Sequence, residues 1–473
     1  MPRRPSPARR ALVLAAPLFA VVASSCAADL RVGAAAVRIT PPTGIPMAGY
    51  YAERRAEGAL DELHAKALVF EQDGARAALV ALDLVSLARP TIAEARRLIA
   101  RDTRVPPAAV MISATHSHTG PLLHGGSGRN ALYGGDTALA RTYTTSLPAR
   151  IAEAVRLAEA ALVPAHLSAA TGREDTLPFN RRFHLRDGSV GWNPGKLNPN
   201  IVRPAGPIDP AVPVVVATAA DGRLLATYVN FAMHLDTVGG LKFSADYPFT
   251  LARILGATLS PDLITLFTIG CASDINHLNT ATKEPQKGPG EAARIGTVLA
   301  GEVLKTTTRL APVATVAPRV RSATVPLALA SIDATDVEKA RALIARIGGQ
   351  NDPKFLEKVW AFKALDVFGR AGRPLEVEVQ VIALGPDLAW VSLPGEIFVE
   401  LGLAIKAASP FKHTILVELA NGSIGYVPTR RAFDEGNYEP VSARCAPGFG
   451  EQLVETARRL LREAHADLAA PAP

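Results

Sequence analysis

The chain has 473 residues, and 51 Lys+Arg against 44 Asp+Glu give a formal charge of +7. Arg3, Arg4, Arg9 and Arg10 supply the early positives and no acid precedes Asp29, so without residues 1–28 the balance is 47 against 44, or +3. So small a surplus, with 20% charged residues mixed along the chain, excludes nucleic acid as the main partner, and 48% hydrophobic residues exclude a disordered chain.

Residues 1–28 read as an export signal: MPRRPSPARR is a basic lead, ALVLAAPLFAVVA an apolar stretch and SSCAAD a set of small-residue cleavage sites. The apolar stretch from Ala11 to Ala23 falls short of the ~20 residues that span a bilayer. Cleavage after Ala27 or Ala28 gives a soluble periplasmic or secreted protein. Cleavage before Cys26 gives a lipidated N-terminus and peripheral membrane association. The Arg9-Arg10 pair points weakly to twin-arginine export. In the mature chain only Cys271 and Cys445 remain, either as a disulfide or as two buried thiols.

Residues 29–473 read as one α/β catalytic domain. Apolar, β-rich runs recur at 67–72, 77–85, 110–115, 214–218, 225–233, 263–270, 377–385, 388–393 and 414–419. Helical periodicity marks 90–102, 138–160, 247–259, 288–307, 334–348, 353–368, 396–408 and 450–467. Two closely spaced strand pairs, 67–72 with 77–85 and 377–385 with 388–393, predict a mixed central sheet. The class is a layered helix–sheet–helix body. Pro- and Gly-rich stretches at 40–50, 187–213 and 284–290 are long enough to line a site.

Five turns after strands carry the chemistry. In ISATHSHTGP (112–121), His116 and His118 are two apart and face the same side of an extended backbone. That suits one metal ligand plus one proton-transfer group; a hydrogen-bonding loop pair is the plain alternative. His234 closes NFAMH and needs a partner, for which Asp236 and Asp246 are nearby candidates. GCASDINH (270–277) offers Ser273, Asp274, Asn276 and His277 in a turn that can present polar groups to a ligand. In VSLPGEIF (391–398), Glu396 opens the next predicted helix. Tyr426 and Tyr438 stand 12 apart in a Gly/Pro-rich loop. Two imidazoles and a carboxylate form a donor set suited to Zn²⁺.

With these residues in view, the chain resembles the neutral/alkaline (non-lysosomal) ceramidases, zinc-dependent amidases of sphingolipid metabolism. The resemblance spans about residues 31–460. It is carried by VGAAAVRITPP…MAGY, ISATHSHTGP, the NRR of 180–182, His234, the GCASDIN turn, PGE (394–396), GYVPT and NYEP. It implies one Zn²⁺ ion held by His116, His234, Glu396 and Tyr426. It also implies proton transfer by His118, oxyanion stabilisation by Tyr438, and substrate binding by Asn180 and Arg181. The family's Gly-Asp-Val-Ser-Pro-Asn turn, set by its aspartate on Asp274, puts Asn276 where the serine belongs and leaves Ser273 on the other side. The chain also ends before the family's C-terminal immunoglobulin-like domain would begin. The resulting expectation is hydrolysis of a ceramide-like or other small-molecule amide by metal-activated water, with Asn276 a further oxyanion donor. A zinc hydrolase of a non-lipid amide or ester, and a binding protein that keeps the fold without catalysis, stay open.

Overall fold

The computed structural model describes residues 29–125 and 127–469, so the predicted export signal and Cys26 lie outside the described residues. Strands β1 (Arg31–Arg38), β2 (His64–Gln72), β3 (Ala75–Leu82), β4 (Val110–Ala114), β5 (Val163–Arg173), β6 (Ala211–Ala219), β7 (Leu224–Phe231) and β8 (Ile264–Ile269) form one mixed sheet. Its order is β8-β7-β6-β5-β1-β2-β3-β4, with Ala311–Pro312 added beside β5. The predicted β2–β3 hairpin is antiparallel, while β3–β4 and β7–β8 are parallel. A second sheet follows: β9 (Arg319–Leu327), β10 (Leu375–Ala383), β11 (Leu388–Ser392) and β12 (His413–Val417), paired in that order and parallel between β11 and β12.

The apolar runs are continuous because each sheet is covered on both faces. Along β2, Ala67 and Val69 enter the core under helices α1 (Arg89–Asp102), α2 (Ala138–Ala160), α3 (Tyr247–Leu259) and α4 (Pro289–Thr307). The alternate Leu68 and Phe70 enter a different core, shared with Ile382, Trp390 and Ile415 of the second sheet. On that sheet's far side, Val379, Val381 and Val391 pack under residues of Val399–Ala407 and Phe449–Ala469. The predicted layered α/β body with its large mixed sheet is therefore present. The predicted 377–393 hairpin belongs to a second sheet stacked on the first, so the layers run helix–sheet–sheet–helix. A helix pair, Ala334–Ile344 and Phe355–Phe368, shares a small core of its own and packs Phe362 against Ala48 and Leu122 and Val359 against Tyr426 and Tyr438. Cys271 and Cys445 are buried free thiols, not a disulfide.

The two sheets meet through aromatic stacking. Trp390, fully buried, lies 5.8 Å from the Phe70 ring and 5.6 Å from the Tyr228 ring. Truncation of such a side chain removes transfer energy and leaves a cavity. Trp390→Ala is expected to lower unfolding free energy by ~3–5 kcal/mol, read as a shift in the denaturant midpoint with an unchanged slope.

Candidate metal centre

Strands from both sheets end at one edge, and their last residues are tied together. The Ala114 amide donates to Leu419 O at 3.2 Å, the Asn421 amide to Ile112 O at 2.8 Å and the Glu418 amide to Ile269 O at 3.3 Å. The turns after β4, β7, β8, β11 and β12 thus open into a common space. His116 is not in extended backbone: its φ is +77°, and its amide donates to Leu84 O at 2.9 Å. The left-handed kink, costly for a residue with a Cβ, turns its ring toward that of His118. Gly49, at φ +102°, allows the preceding loop to press on this turn, since a Cβ there would lie 2.7 Å from His118 O. Glu396 does not begin a helix. Glu396–Ile397 is a short strand paired in parallel with Tyr426–Val427, and the helix starts at Val399.

Four donor atoms converge. His116 Nε2 lies 3.3 Å from His234 Nε2, 3.2 Å from His118 Nε2 and 3.3 Å from Glu396 Oε2; His234 Nε2 is 3.6 Å from the same oxygen. A tetrahedron around an ion with ~2.0–2.1 Å bonds has edges of ~3.3 Å, so these separations fit a metal ion. Protonation supports the fit. His116 Nδ1 lies 2.8 Å from Val85 O and His234 Nδ1 lies 2.8 Å from Ala272 O. A carbonyl only accepts, so in each neutral ring the proton sits on Nδ1 and Nε2 offers a lone pair. Glu396 Oε2 is buried with no hydrogen-bond partner. His116, His118 and His234 form a group that can hold a metal ion. His118, which the sequence reading sets apart as a proton carrier, is therefore as close to the cluster as the others.

Around the donors sits a ring of aromatic and cationic groups. Arg181 is buried, donates through Nε to Glu439 at 2.8 Å, and places Nη1 3.2 Å from His234 Nε2 while Nη2 has no partner. Glu439 also accepts from Arg182 at 3.0 Å, so one buried carboxylate braces both arginines. The Tyr426 and Tyr438 rings lie 5.1 Å apart, and the Arg181 guanidinium is 5.5 Å and 6.0 Å from their centres. Burial, then Tyr51 and Glu396, push the Tyr438 phenol far up, so it keeps its proton and can donate. Ser273 is fully buried and its Oγ has no partner.

Three residues expected in the site, Asp274 and Asn276 as catalytic groups and Asn180 as a substrate contact, hydrogen-bond within the protein. Asp274 accepts from the Val399 amide and from Asn180 Nδ2, both at 2.9 Å. Asn180 Nδ2 also donates to Pro207 O, and Asn276 donates to Asn193 at 2.9 Å while accepting from the Leu278 amide. These side chains brace the turn; both Asn180 N–H groups are used, while Asn276 Nδ2 makes one of its two bonds. Neither predicted partner of His234 serves it. Asp246 caps α3 by accepting from the Tyr247 amide, and Asp236 lies 3.3 Å from His277.

Of the donors, His116, His118 and Glu396 line a cavity of about 250 Å³, together with Tyr426 and Tyr438. Ala88, Leu375 and Ile424 also line an adjoining groove of about 1310 Å³. Sequence reading missed the far wall: Tyr51, Arg129, Phe362, Lys363, Arg370 and Arg444. The MAGY motif contained Tyr50 but not its neighbour Tyr51, and the helical period of 353–368 marks Phe362 without saying what it faces.

The structure is similar to that of neutral ceramidase from Pseudomonas aeruginosa, with a TM-score of 0.71 and 21% identity over 94% of this chain and 76% of that one. A structure of ceramidase complexed with C2 gives 0.68 and 19%, over 94% of this chain and 77% of that one. No protein-family model and no curated protein sequence matches the chain. The chain has the neutral ceramidase fold, as its motifs implied.

If the donor cluster holds a metal, purified protein should carry a single divalent ion by elemental analysis, and His234→Ala or Glu396→Ala should lose it. Full occupancy in either variant would count against the cluster as the metal site.

Proposed function

We propose that the chain is an exported zinc-dependent amidohydrolase acting on an N-acyl, ceramide-like lipid amide. The convergence of His116, His234 and Glu396 at tetrahedral spacing, on a fold shared with structures named as ceramidases, carries this reading. His116, His234, Glu396 and Tyr426 would hold the ion; imidazole and carboxylate donors suit Zn²⁺. When bound, the ion supplies Lewis acidity and lowers the pKa of water. Export rests on the pattern of residues 1–28, and a lipidated Cys26 would add peripheral membrane attachment.

The chain's own groups divide the remaining work. His118 is positioned to take a proton from the attacking water and return it to the leaving nitrogen. The C–N bond breaks as water adds, giving a carboxylic acid and an amine. Arg181 Nη2, which has no partner, and the protonated Tyr438 hydroxyl can donate to the oxygen on which charge develops. The adjoining groove is long and its Leu365, Leu375, Val377 and Ile424 suit an acyl chain.

Ser273 is a third donor in this reading. A buried hydroxyl without a partner calls for a ligand, and its neighbour Ala272 supplies the carbonyl that orients His234. Setting the family's Gly-Asp-Val-Ser turn on Gly270, rather than on Asp274, brings Ser273 into register with the family serine. Gly270 suits that anchor: a Cβ there would come within 3.2 Å of Ala232 and Asn230. Ser273→Ala is expected to lower kcat on an N-acyl amide by ~10²–10³ while the metal content stays unchanged. Chelation of wild-type protein should abolish hydrolysis and added Zn²⁺ restore it; chelator-resistant activity would sink the metal mechanism.

A further inference from the structure

The cavity beside the donors is unbalanced in charge. Its wall carries four cationic side chains, Arg129, Lys363, Arg370 and Arg444, against one carboxylate, Glu396, which already belongs to the donor cluster. Arg444 has an acid of its own, Asp366, at 2.6 Å. Among the described residues the other three form no ion pair. Arg129 lies 4.9 Å over the Tyr51 ring. Arg370 has a buried Nε without a partner, its nearest acceptor being Pro374 O, 3.5 Å from Nη2. Lys363 is half-buried. Burial lowers its pKa, Asp336 opposes and Arg444 lowers it further. Asp336 meanwhile accepts from the Asp333 amide in a helix cap.

The surplus is local to this cavity. The adjoining groove carries three acids, Asp136, Asp366 and Glu376, beside Arg89, Arg373 and the shared Arg370, although Asp366 is already paired with Arg444 and none of the three forms an ion pair with Arg370. Cations held partly out of water cost free energy unless an anion meets them. Guanidinium and ammonium groups with free N–H donors are what recognise carboxylate, sulfonate or phosphate oxygens. Ser127 and Ser442, on the same wall, add hydroxyls.

We propose that the head of the substrate is anionic: the cavity takes the carboxylate, sulfonate or phosphate of an N-acyl amino acid or similar acidic amide between Arg129, Lys363 and Arg370, while the groove takes the acyl chain. This rests on the amidase reading above. A neutral head would leave these three side chains unmatched.

The test uses the full-length mature, metal-loaded protein and two amides with the same chain, N-lauroylglycine and N-lauroylethanolamine. The expected kcat/KM preference for the acidic amide is ~10-fold or more, the value of one charge-assisted hydrogen bond. In the double variant Lys363→Met, Arg370→Met that preference should collapse toward parity through KM. Parity or a neutral preference in wild type overturns the inference, as does a preference that survives in the double variant. A binding measurement keeps the two readings separable, using octanesulfonate, a weak metal ligand, against octanol. Octanesulfonate should bind more tightly, lose affinity with added salt, and bind the double variant ~10-fold more weakly. If it does so while neither amide is cleaved, the anion site stands and the amidase reading fails. If octanesulfonate binds no better than octanol, the anion site fails whether or not amides are cleaved.

Discussion

The architecture turns on a repulsion that the protein alone does not resolve. With both rings neutral and their protons on Nδ1 toward Val85 O and Ala272 O, the two Nε2 atoms of His116 and His234 lie 3.3 Å apart as lone-pair donors. A carboxylate oxygen with no hydrogen-bond partner faces both. Three electron-rich atoms in a largely buried space are unfavourable together, and one divalent charge turns the same arrangement into an attraction. Arg181 offsets only part of the strain, since one of its N–H groups lies 3.2 Å from His234 Nε2.

Holding those atoms against their mutual repulsion requires rigid supports, and the stacked sheets supply them. His116 and His234 follow strands of the first sheet, whereas Glu396 and Tyr426 follow strands of the second. The relative position of the sheets therefore sets the donor spacing. Asn421 acts as a bracket between them. Its side chain accepts from the Ile112 amide on the first sheet at 3.1 Å and donates to Gln380 on the second at 2.9 Å. Glu418, fully buried, accepts from the amides of Ile397 and Ala272, so one carboxyl links the Glu396 strand to the turn that orients His234. A displacement of either sheet by a fraction of an ångström would alter the donor edges directly.

What could be read in the sequence follows from this division. His116, His234, Glu396 and Tyr426 each sit where an apolar run gives way to a turn, a local signal. The second sheet carried no such signal: β11 reads as a core strand whichever sheet it joins, because Trp390 and Val391 are both buried and only their partners differ. β1 and β5 escaped notice because their Ala-, Gly- and Ser-rich segments, RVGAAAVR and VPAHLSAATGR, lack β-branched runs. Asp274, Asn180 and Asn276 have the chemistry of catalytic groups, but their hydrogen-bond partners are backbone groups, one another and Asn193, contacts that only tertiary structure makes. The kink at His116 was equally hidden, since nothing local distinguishes it from extended chain.

The charge of the cavity wall had the weakest sequence signal and, in the proposed reading, the largest consequence for substrate choice. Lys363 lies on Phe355–Phe368, where a polar residue on a surface helix is ordinary. Arg370 and Arg444 stand in unrelated loops, and Arg129 precedes a short irregular turn. Each alone reads as a solvated surface charge. Brought to one wall, they share a space whose carboxylate already serves the donor cluster, and of the four only Arg444, paired with Asp366, forms an ion pair among the described residues. In the proposed reading, the donor edge would cleave the bond and the neighbouring helix pair and loops would set which amide is taken, so chemistry and selectivity are carried by different parts of the cavity wall.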